Sequence, residues 1–334
     1  SLGKTKLSYV LPRSINRIGF VIKRIKIYFL VRMKQIKRKK FCILVNPTAG
    51  GGKTTKIFRK IQPLFETSYV QNVKYFSDYP GSITDFIINR DLSEFDGLCV
   101  VGGDGTIHEA IDGLMKSGKA KSVPLGIIPG GTGNAFIEDL RCRDPIKAAR
   151  NIIDGKVSLI DIFRIVHDQE ISYAFNIIGW GMASDVNIKA DQLRWLGPMR
   201  YSISAVINIM MFFKKRHLKI NLGDDLIDGN HLFFVALNTI HTGKGMKMAP
   251  HAKLNDGLID AILVRDVSKL RAIKIFSQLF SGNHIFDPLV EYRQVETFSI
   301  QTKGDLLNID GENIGNTPID VSVIPNALKI FADL

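Results

Sequence analysis

Acidic residues are missing from the first forty positions of this 334-residue chain. Residues 1–40 hold no Asp or Glu but thirteen of the 45 Lys and Arg, from Lys4 to Lys40. The other 32 basic residues face the 32 Asp and Glu of residues 41–334, so the formal charge of +13 belongs to a basic leader on a neutral body. Such a body excludes a protein that tracks nucleic acid along a basic surface. Cysteine is scarce. Cys42, Cys99 and Cys142 are odd in number and lack metal-type spacing, so they read as reduced thiols in a cytoplasmic protein, not a disulfide framework. Long apolar runs are also lacking. Ile203–Phe213 is interrupted by Ser204 and Asn208 and falls short of the roughly 18–20 residues a membrane crossing needs. Lys and Arg break the apolar stretches near the start, which excludes a secretory signal.

What is present is an ordinary globular composition, 45% hydrophobic and 23% charged. A body of about 290 residues is expected to divide into two domains. In the leader, Ile15, Ile18, Ile22, Ile25, Phe29, Met33 and Ile36 recur every three or four residues. That is one face of a helix, bounded near residues 14–38, with Arg13, Arg17, Arg24, Lys34 and Arg38 mostly off the stripe. A basic amphipathic helix suits an anionic membrane surface, making the protein peripheral to the membrane. A helix packed on its own body and a removed presequence are the other readings.

From residue 41 apolar strands alternate with helical spacing. Phe41–Val45, Val73–Phe76, Leu98–Val101 and Leu125–Ile128 read as strands, and Lys53–Glu66, Ile83–Asn89 and Ile107–Ser117 as helices. This pattern predicts an α/β domain over 41–160 with a Rossmann-like parallel sheet and glycine-rich loops at the carboxyl ends of its strands. From residue 161 short alternating runs, Tyr173–Ile178 and Leu218–Leu222 first among them, predict a mostly antiparallel β-sandwich domain to residue 334, the last residues returning to the first domain.

Three of the loops carry chemistry. Asn46-Pro47-Thr48-Ala49-Gly50-Gly51-Gly52-Lys53 lacks the first glycine of a P-loop, because position 47 is proline. What remains is a strand-to-helix turn able to offer amides to an anion. Gly102-Gly103-Asp104-Gly105-Thr106-Ile107-His108 sets a carboxylate between glycines, able to hold magnesium, accept a hydroxyl proton or cap a helix. Pro129-Gly130-Gly131-Thr132-Gly133-Asn134 does not complete a dinucleotide fingerprint.

In this order the three loops resemble the diacylglycerol kinase catalytic family, which includes sphingosine and ceramide kinases and bacterial lipid kinases. Gly179-Trp180-Gly181, Arg194-Trp195-Leu196-Gly197-Pro198-Met199-Arg200, Ala249-Pro250-His251-Ala252, Asp256-Gly257-Leu258-Ile259-Asp260 and Asp310-Gly311-Glu312 extend the resemblance across roughly 41–334. It implies an ATP cleft between the domains. Asn46, Thr48, Gly102, Gly103, Asp104, Gly105, Thr106, Ile107, His108 and Thr132 match nucleotide-contacting positions, and Ser77 matches a family Thr. Arg194 and Arg200 match phosphate-reaching arginines, though a solvated helix face would look the same. Asp104 and the pair Asp310/Glu312 compete for the role of general base, the others organising Mg2+. Asp256, with the carbonyls of Lys253 and Leu258, matches a structural magnesium site, or is simply an Asp-Gly turn.

For the lipid head the resemblance points to Asp185 and to the position two residues on. There sphingosine kinases carry a second acid, but this chain has Asn187, which cannot pair with an ammonium. Ceramide or diacylglycerol therefore fits better than a sphingoid base. Trp180, Met182, Ile203, Val206, Ile207, Met210 and Phe212 form either an acyl-chain pocket or ordinary core. The implied activity is transfer of the γ-phosphoryl of ATP to a hydroxyl of a membrane lipid. An NAD kinase-like enzyme and a catalytically silent, nucleotide-gated membrane-binding protein are the alternatives.

Overall fold

The computed structural model describes residues 38–67, 69–131, 135–192, 203, 214–243 and 245–334. The leader helix, Thr132, Arg194 and Arg200 lie outside these residues, as do Val206, Ile207, Met210 and Phe212.

The first region alternates strand and helix: β1 (Lys39–Val45), α1 (Ala49–Phe65), β2 (Val70–Phe76), α2 (Ser82–Asn89), β3 (Gly97–Gly102), α3 (Asp104–Lys116), β4 (Leu125–Pro129), α4 (Ala135–Asp139) and α5 (Pro145–Asp154). The strands run parallel in the order β2-β1-β3-β4. Both faces of this sheet are covered, which is why its strands read as unbroken apolar runs. On β1, Cys42 and Leu44 face the core that holds Ile107 and Ile111 of α3. Phe41, Ile43 and Val45 face the opposite core with Phe58 and Ile61 of α1. The alternation is the two-residue period of a strand. Each fully buried side chain of this size contributes about 1.5–3 kcal/mol. Burial pushes the Cys42 thiol up to about 12, so it packs as a hydrophobe.

The second region is antiparallel: β5 (Ser158–His167), β6 (Glu170–Ala174), β7 (Ile177–Gly181), α6 (Met182–Gln192), β8 (Arg216–Leu222), β9 (Asp225–Leu237), β10 (His241–Thr242), β11 (Met246–Lys247) and β12 (Ile259–Arg265). After these come α7 (Lys269–Gln278), a 3-10 turn at Asn283–Phe286, β13 (Val290–Val295), β14 (Thr297–Ile300), β15 (Leu306–Ile309), β16 (Glu312–Asn316) and β17 (Ile319–Ile330). The expected parallel region followed by an antiparallel one is what the fold contains. Strand β17 starts against β14, runs along β5 and ends in parallel contact with β4 at Ile330 and Leu125. Leu328 and Ile330 are buried in the first region's core. Residues 160 and 161, where the sequence suggests a domain boundary, both lie inside β5.

One sequence expectation differs from the fold, and one that stood open is decided by it. Tyr173–Ile178 is not one strand but the end of β6 and the start of β7, broken at Phe175 and Asn176. Its amides turn to a side-chain partner instead of a neighbouring strand. Trp180 is fully buried in the sandwich core, where its indole N–H donates to Asp305 (3.0 Å), so it is packing and not pocket wall.

Candidate active site

The carboxyl ends of β1, β3 and β4 bring the three glycine loops together. The side chain of Asn46 organises the first: its Oδ1 accepts from the amides of Thr48 (3.1 Å) and Ala49 (3.2 Å) and from the Thr48 hydroxyl (2.8 Å). Its Nδ2 donates to Thr106 Oγ1 of the second loop (3.3 Å). The Gly130 amide donates to the Gly102 carbonyl (2.8 Å), joining third loop to second. Gly50 has φ +60°, and a Cβ there would stand 2.0 Å from the Gly130 carbonyl oxygen. Only glycine satisfies both the left-handed backbone and that approach. Ser77 closes the adjacent turn, its amide donating to the Val45 carbonyl (2.9 Å).

Helix α3 begins at Asp104, with Gly103 rather than Asp104 as its N-cap. The carboxylate therefore sits in the first turn, where the helix dipole favours negative charge. Asp104, His108 and Asp112 follow at four-residue steps, so one face of α3 points them toward the second region. His108 Nδ1 meets Asp310 Oδ2 at 2.8 Å. Burial acts to lower the His108 pKa, but the hydrogen bond and charge of Asp310, with Asp112 and Glu312, outweigh it and raise the value.

Asp310 is 1% exposed and has φ +52°. Its Oδ1 accepts from the amides of Asn176 (2.9 Å) and Ile177 (3.1 Å), and its Oδ2 from the Phe175 amide (3.1 Å) beside His108. These three amides, at and just after the break between β6 and β7, join His108 in filling the four acceptor positions of a carboxylate. Glu312 is exposed, and a Cβ on Gly105 would stand 3.0 Å from its Oε1. So Asp104 meets Asp310 and Glu312, more than two hundred residues further along the chain, across the cleft.

Beside them opens a cavity of about 130 Å3. Its polar end carries Asp104, Asn176, Asn308 and Asp310, and its walls are Met182, Val186, Leu232, Phe233, Ile275, Phe276 and other apolar side chains. Of the expected acyl-chain residues within the described set, Met182 lines this cavity and Trp180 and Ile203 do not. Asp185 lies on the same helix as Met182 and Val186 but is not a wall residue. It is paired with Arg216 (2.9 Å), and the side chain of Asn187 lies outside the described residues.

Asp256 stands apart from this cleft, on the turn before β12, its Oδ1 accepting from the Leu258 amide (3.2 Å). Among the described residues no three His, Cys, Asp or Glu side chains converge to hold a metal. The oxygen chemistry nevertheless suits magnesium. The fully buried Asp161 and Asp260 both feel the Asp256 charge. Burial is the larger cause of their raised pKa values, with Asp260 pushed up to about 6. Asp260 Oδ2 is buried without a hydrogen-bond partner among the described residues.

Sequence reasoning missed Asn176, Asn238, Thr239 and Asp139. Asn238 Nδ2 donates to the carbonyls of Asp161 (2.9 Å) and Phe175 (3.1 Å), and Thr239 donates to Asn176, so they hold the segment that grips Asp310. Asp139 of α4 accepts from the amides of Ile240 (3.1 Å) and His241 (3.2 Å), tying the first region to the cavity rim at Thr242 and Gly243. Only fold-level pairing identifies such residues, since each is an ordinary polar residue at the end of a helix or strand or in the turn that follows.

Comparison with known proteins agrees with this geometry. Residues 40–165 match the diacylglycerol kinase catalytic domain, and residues 176–332 match the YegS C-terminal NAD kinase beta sandwich-like domain. A diacylglycerol kinase of Mycobacterium tuberculosis is 30% identical over 302 residues, covering 87% of this chain and 94% of that protein. Sphingosine kinase 1 of Arabidopsis thaliana is 24% identical over 327 residues, covering 83% of this chain and 67% of the relative. The crystal structure of a diacylglycerol kinase from Bacillus anthracis superposes with a TM-score of 0.73 at 22% identity, covering 88% of this chain and 97% of that one, a likeness of fold. With glycine loops, buried Asp310 and apolar cavity in one cleft, and a relative matched over nearly its whole length, the chain belongs to the diacylglycerol kinase family of lipid kinases.

Proposed function

We propose that the protein transfers the γ-phosphoryl of ATP to a hydroxyl of a neutral-headed membrane lipid, diacylglycerol or ceramide, at the cytoplasmic face of a membrane. One observation carries this reading: Asp104, within the second glycine loop, lines the apolar cavity. A chain lying among Met182, Leu232 and Phe276 would present its head hydroxyl to the carboxylate nearest the phosphates. Asp104 is the general base in this reading. Asp310 already accepts four hydrogen bonds, which makes it a fixed negative partner for His108 and a positioning residue. Glu312, near Gly105, is suited to a divalent ion carried by the nucleotide. The loop amides and Asn46, Thr48, Ser77, Thr106 and Thr132 form the nucleotide side, with Arg194 and Arg200 reaching phosphate oxygens.

Structural magnesium would be held by the Asp256 carboxylate and the carbonyls of Lys253 and Leu258. Bound there, it supplies positive charge to a turn beside the buried Asp161 and Asp260. Asp185 is engaged by Arg216 and Asn187 carries no charge, so nothing in this pair selects an ammonium headgroup.

Labelled ATP offered with mixed vesicles of diacylglycerol, ceramide, sphingosine and monoacylglycerol, and separately with NAD, tests this reading. Label is expected in diacylglycerol or ceramide, and Asp104→Asn is expected to lower transfer by at least about a hundredfold. Label in NAD alone, or binding of ATP and vesicles with no turnover, would sink it.

A further inference from the structure

Helix α7 carries apolar side chains on two faces. Ala272, Ile275, Phe276 and Leu279 form its inner stripe and line the cavity. Leu270, Ile273, Lys274 and Ser277 repeat the same spacing two residues earlier, about 200° around the helix, and face outward. Leu270 is 81% exposed and Ile273 38%. Phe280, in edge contact with Phe276, is 44% exposed. Phe286, on the 3-10 turn packed against α7, is 78% exposed. Apolar surface left in water costs about 25 cal/mol per Å2. Scattered exposed leucines need no explanation, but these four share one helix and its adjoining turn.

The charge within this segment has one sign, and the acids that bound it, Asp266 and Asp287, are paired with Lys215 and Arg271. Val267–Phe286 contains Lys269, Arg271 and Lys274 and no Asp or Glu. Arg271 is paired with Asp287 at 2.8 Å. Exposed Lys247 adjoins the segment, its amide donating to the Leu279 carbonyl (2.8 Å). Large apolar side chains interleaved with lysines match the boundary between headgroups and acyl chains of an anionic leaflet. A bilayer also explains why both faces of one helix are apolar: the outer stripe would meet lipid and the inner stripe encloses the cavity.

We propose that the outer face of α7, with the turn Asn283–Phe286, is a bilayer-docking surface. It sets the protein down with the cavity directly behind the membrane-facing helix. The part of the proposal concerning entry of the acceptor rests on the lipid-kinase reading, while the docking itself does not.

The test uses the full chain and vesicles of phosphatidylcholine with phosphatidylglycerol at about 0.5 M salt, where attraction of the leader is largely screened. The double variant L270E/I273E is expected to bind these vesicles about tenfold more weakly. Its denaturation midpoint, and its turnover of a short-chain acceptor dissolved as monomer, should match the parent. In Phe286→Trp the added emission should be quenched by vesicles with brominated chains, and in Leu226→Trp, on the β8–β9 hairpin, it should not. Unchanged vesicle affinity without quenching overturns the proposal. So does a dimer that L270E/I273E dissociates, which would make this a face between two copies. Docking and quenching by a protein that phosphorylates no lipid would instead defeat the kinase reading and leave the docking surface standing.

Discussion

In the first domain the cleft is bounded by amides and glycines at the ends of β1, β3 and β4, whereas in the second it opens on Met, Val, Leu, Ile and Phe side chains around a cavity. The difference is one of tolerance. Loops in backbone contact leave little slack, because a Cβ on Gly50 would meet the Gly130 carbonyl oxygen at 2.0 Å, and a backbone atom has no rotamer by which to step aside. A cavity wall assembled from many apolar side chains can yield by rotamer and small shifts, so its losses should be graded. Asp310 stands where the two kinds of construction meet, gripped by amides of the second domain and presented to His108 of the first.

The sharpest way to break this contrast is Gly50→Ala. Its Cβ would drive the first and third loops apart in a backbone conformation that alanine disfavours. ATP affinity measured by calorimetry is expected to fall about a hundredfold, by analogy with the loss from a misplaced binding group. Unaltered affinity would show that the loops have slack after all.

Ala272→Leu tests the tolerant side. It adds volume to the inner stripe of α7, and kcat/KM for a long-chain acceptor should fall about tenfold relative to a short-chain one, with the KM for ATP unchanged. Equal losses on both acceptors would mean that chain length is not read in this cavity.

The smallest effect is expected where the halves join. The raised pKa of His108 means that its protonated, Asp310-paired form persists above the ordinary value of roughly 6.5. Its stabilisation is complete below that value and fades as pH rises through the raised one. His108→Gln, which keeps a donor for Asp310 but loses the charge, should therefore cost about 1 kcal/mol near pH 6, with the gap to the parent narrowing as pH climbs. Denaturant midpoints across pH measure this, and a gap independent of pH would remove the ion pair from the account.

Much of the first domain was legible because most of its strands are short apolar runs closed by glycine or proline, and its helices repeat apolar residues every three or four positions. Val45-Asn46-Pro47 and Val101-Gly102-Gly103 mark strand ends by composition alone. The antiparallel half was legible as texture, but not in its breaks. Phe175 and Asn176 look like strand residues, and only the return of Asp310 from 134 positions later shows where their amides go. Whether Trp180 belongs to pocket or core stayed open in the sequence for the same reason. A hydrophobic residue reads identically whether it faces a void or a packed core, and the sandwich claims Trp180 through Asp305. Asp139 escaped notice because its partners are backbone amides, which no side-chain pattern announces.

The final strand carries a consequence for how the protein is made. Leu328 and Ile330 fill the core beneath β4, and the Phe331 amide donates to the Leu125 carbonyl at 2.9 Å. A nascent chain that has emerged only through β16 already contains every glycine loop and every acid of the cleft. It lacks the strand that completes the sheet bearing them. Synthesis from the N-terminus would ordinarily let a leading domain fold first. Here the leading domain waits for the last strand, so a ribosome stalled before residue 319 would hold all the chemistry of the cleft on an unfinished scaffold.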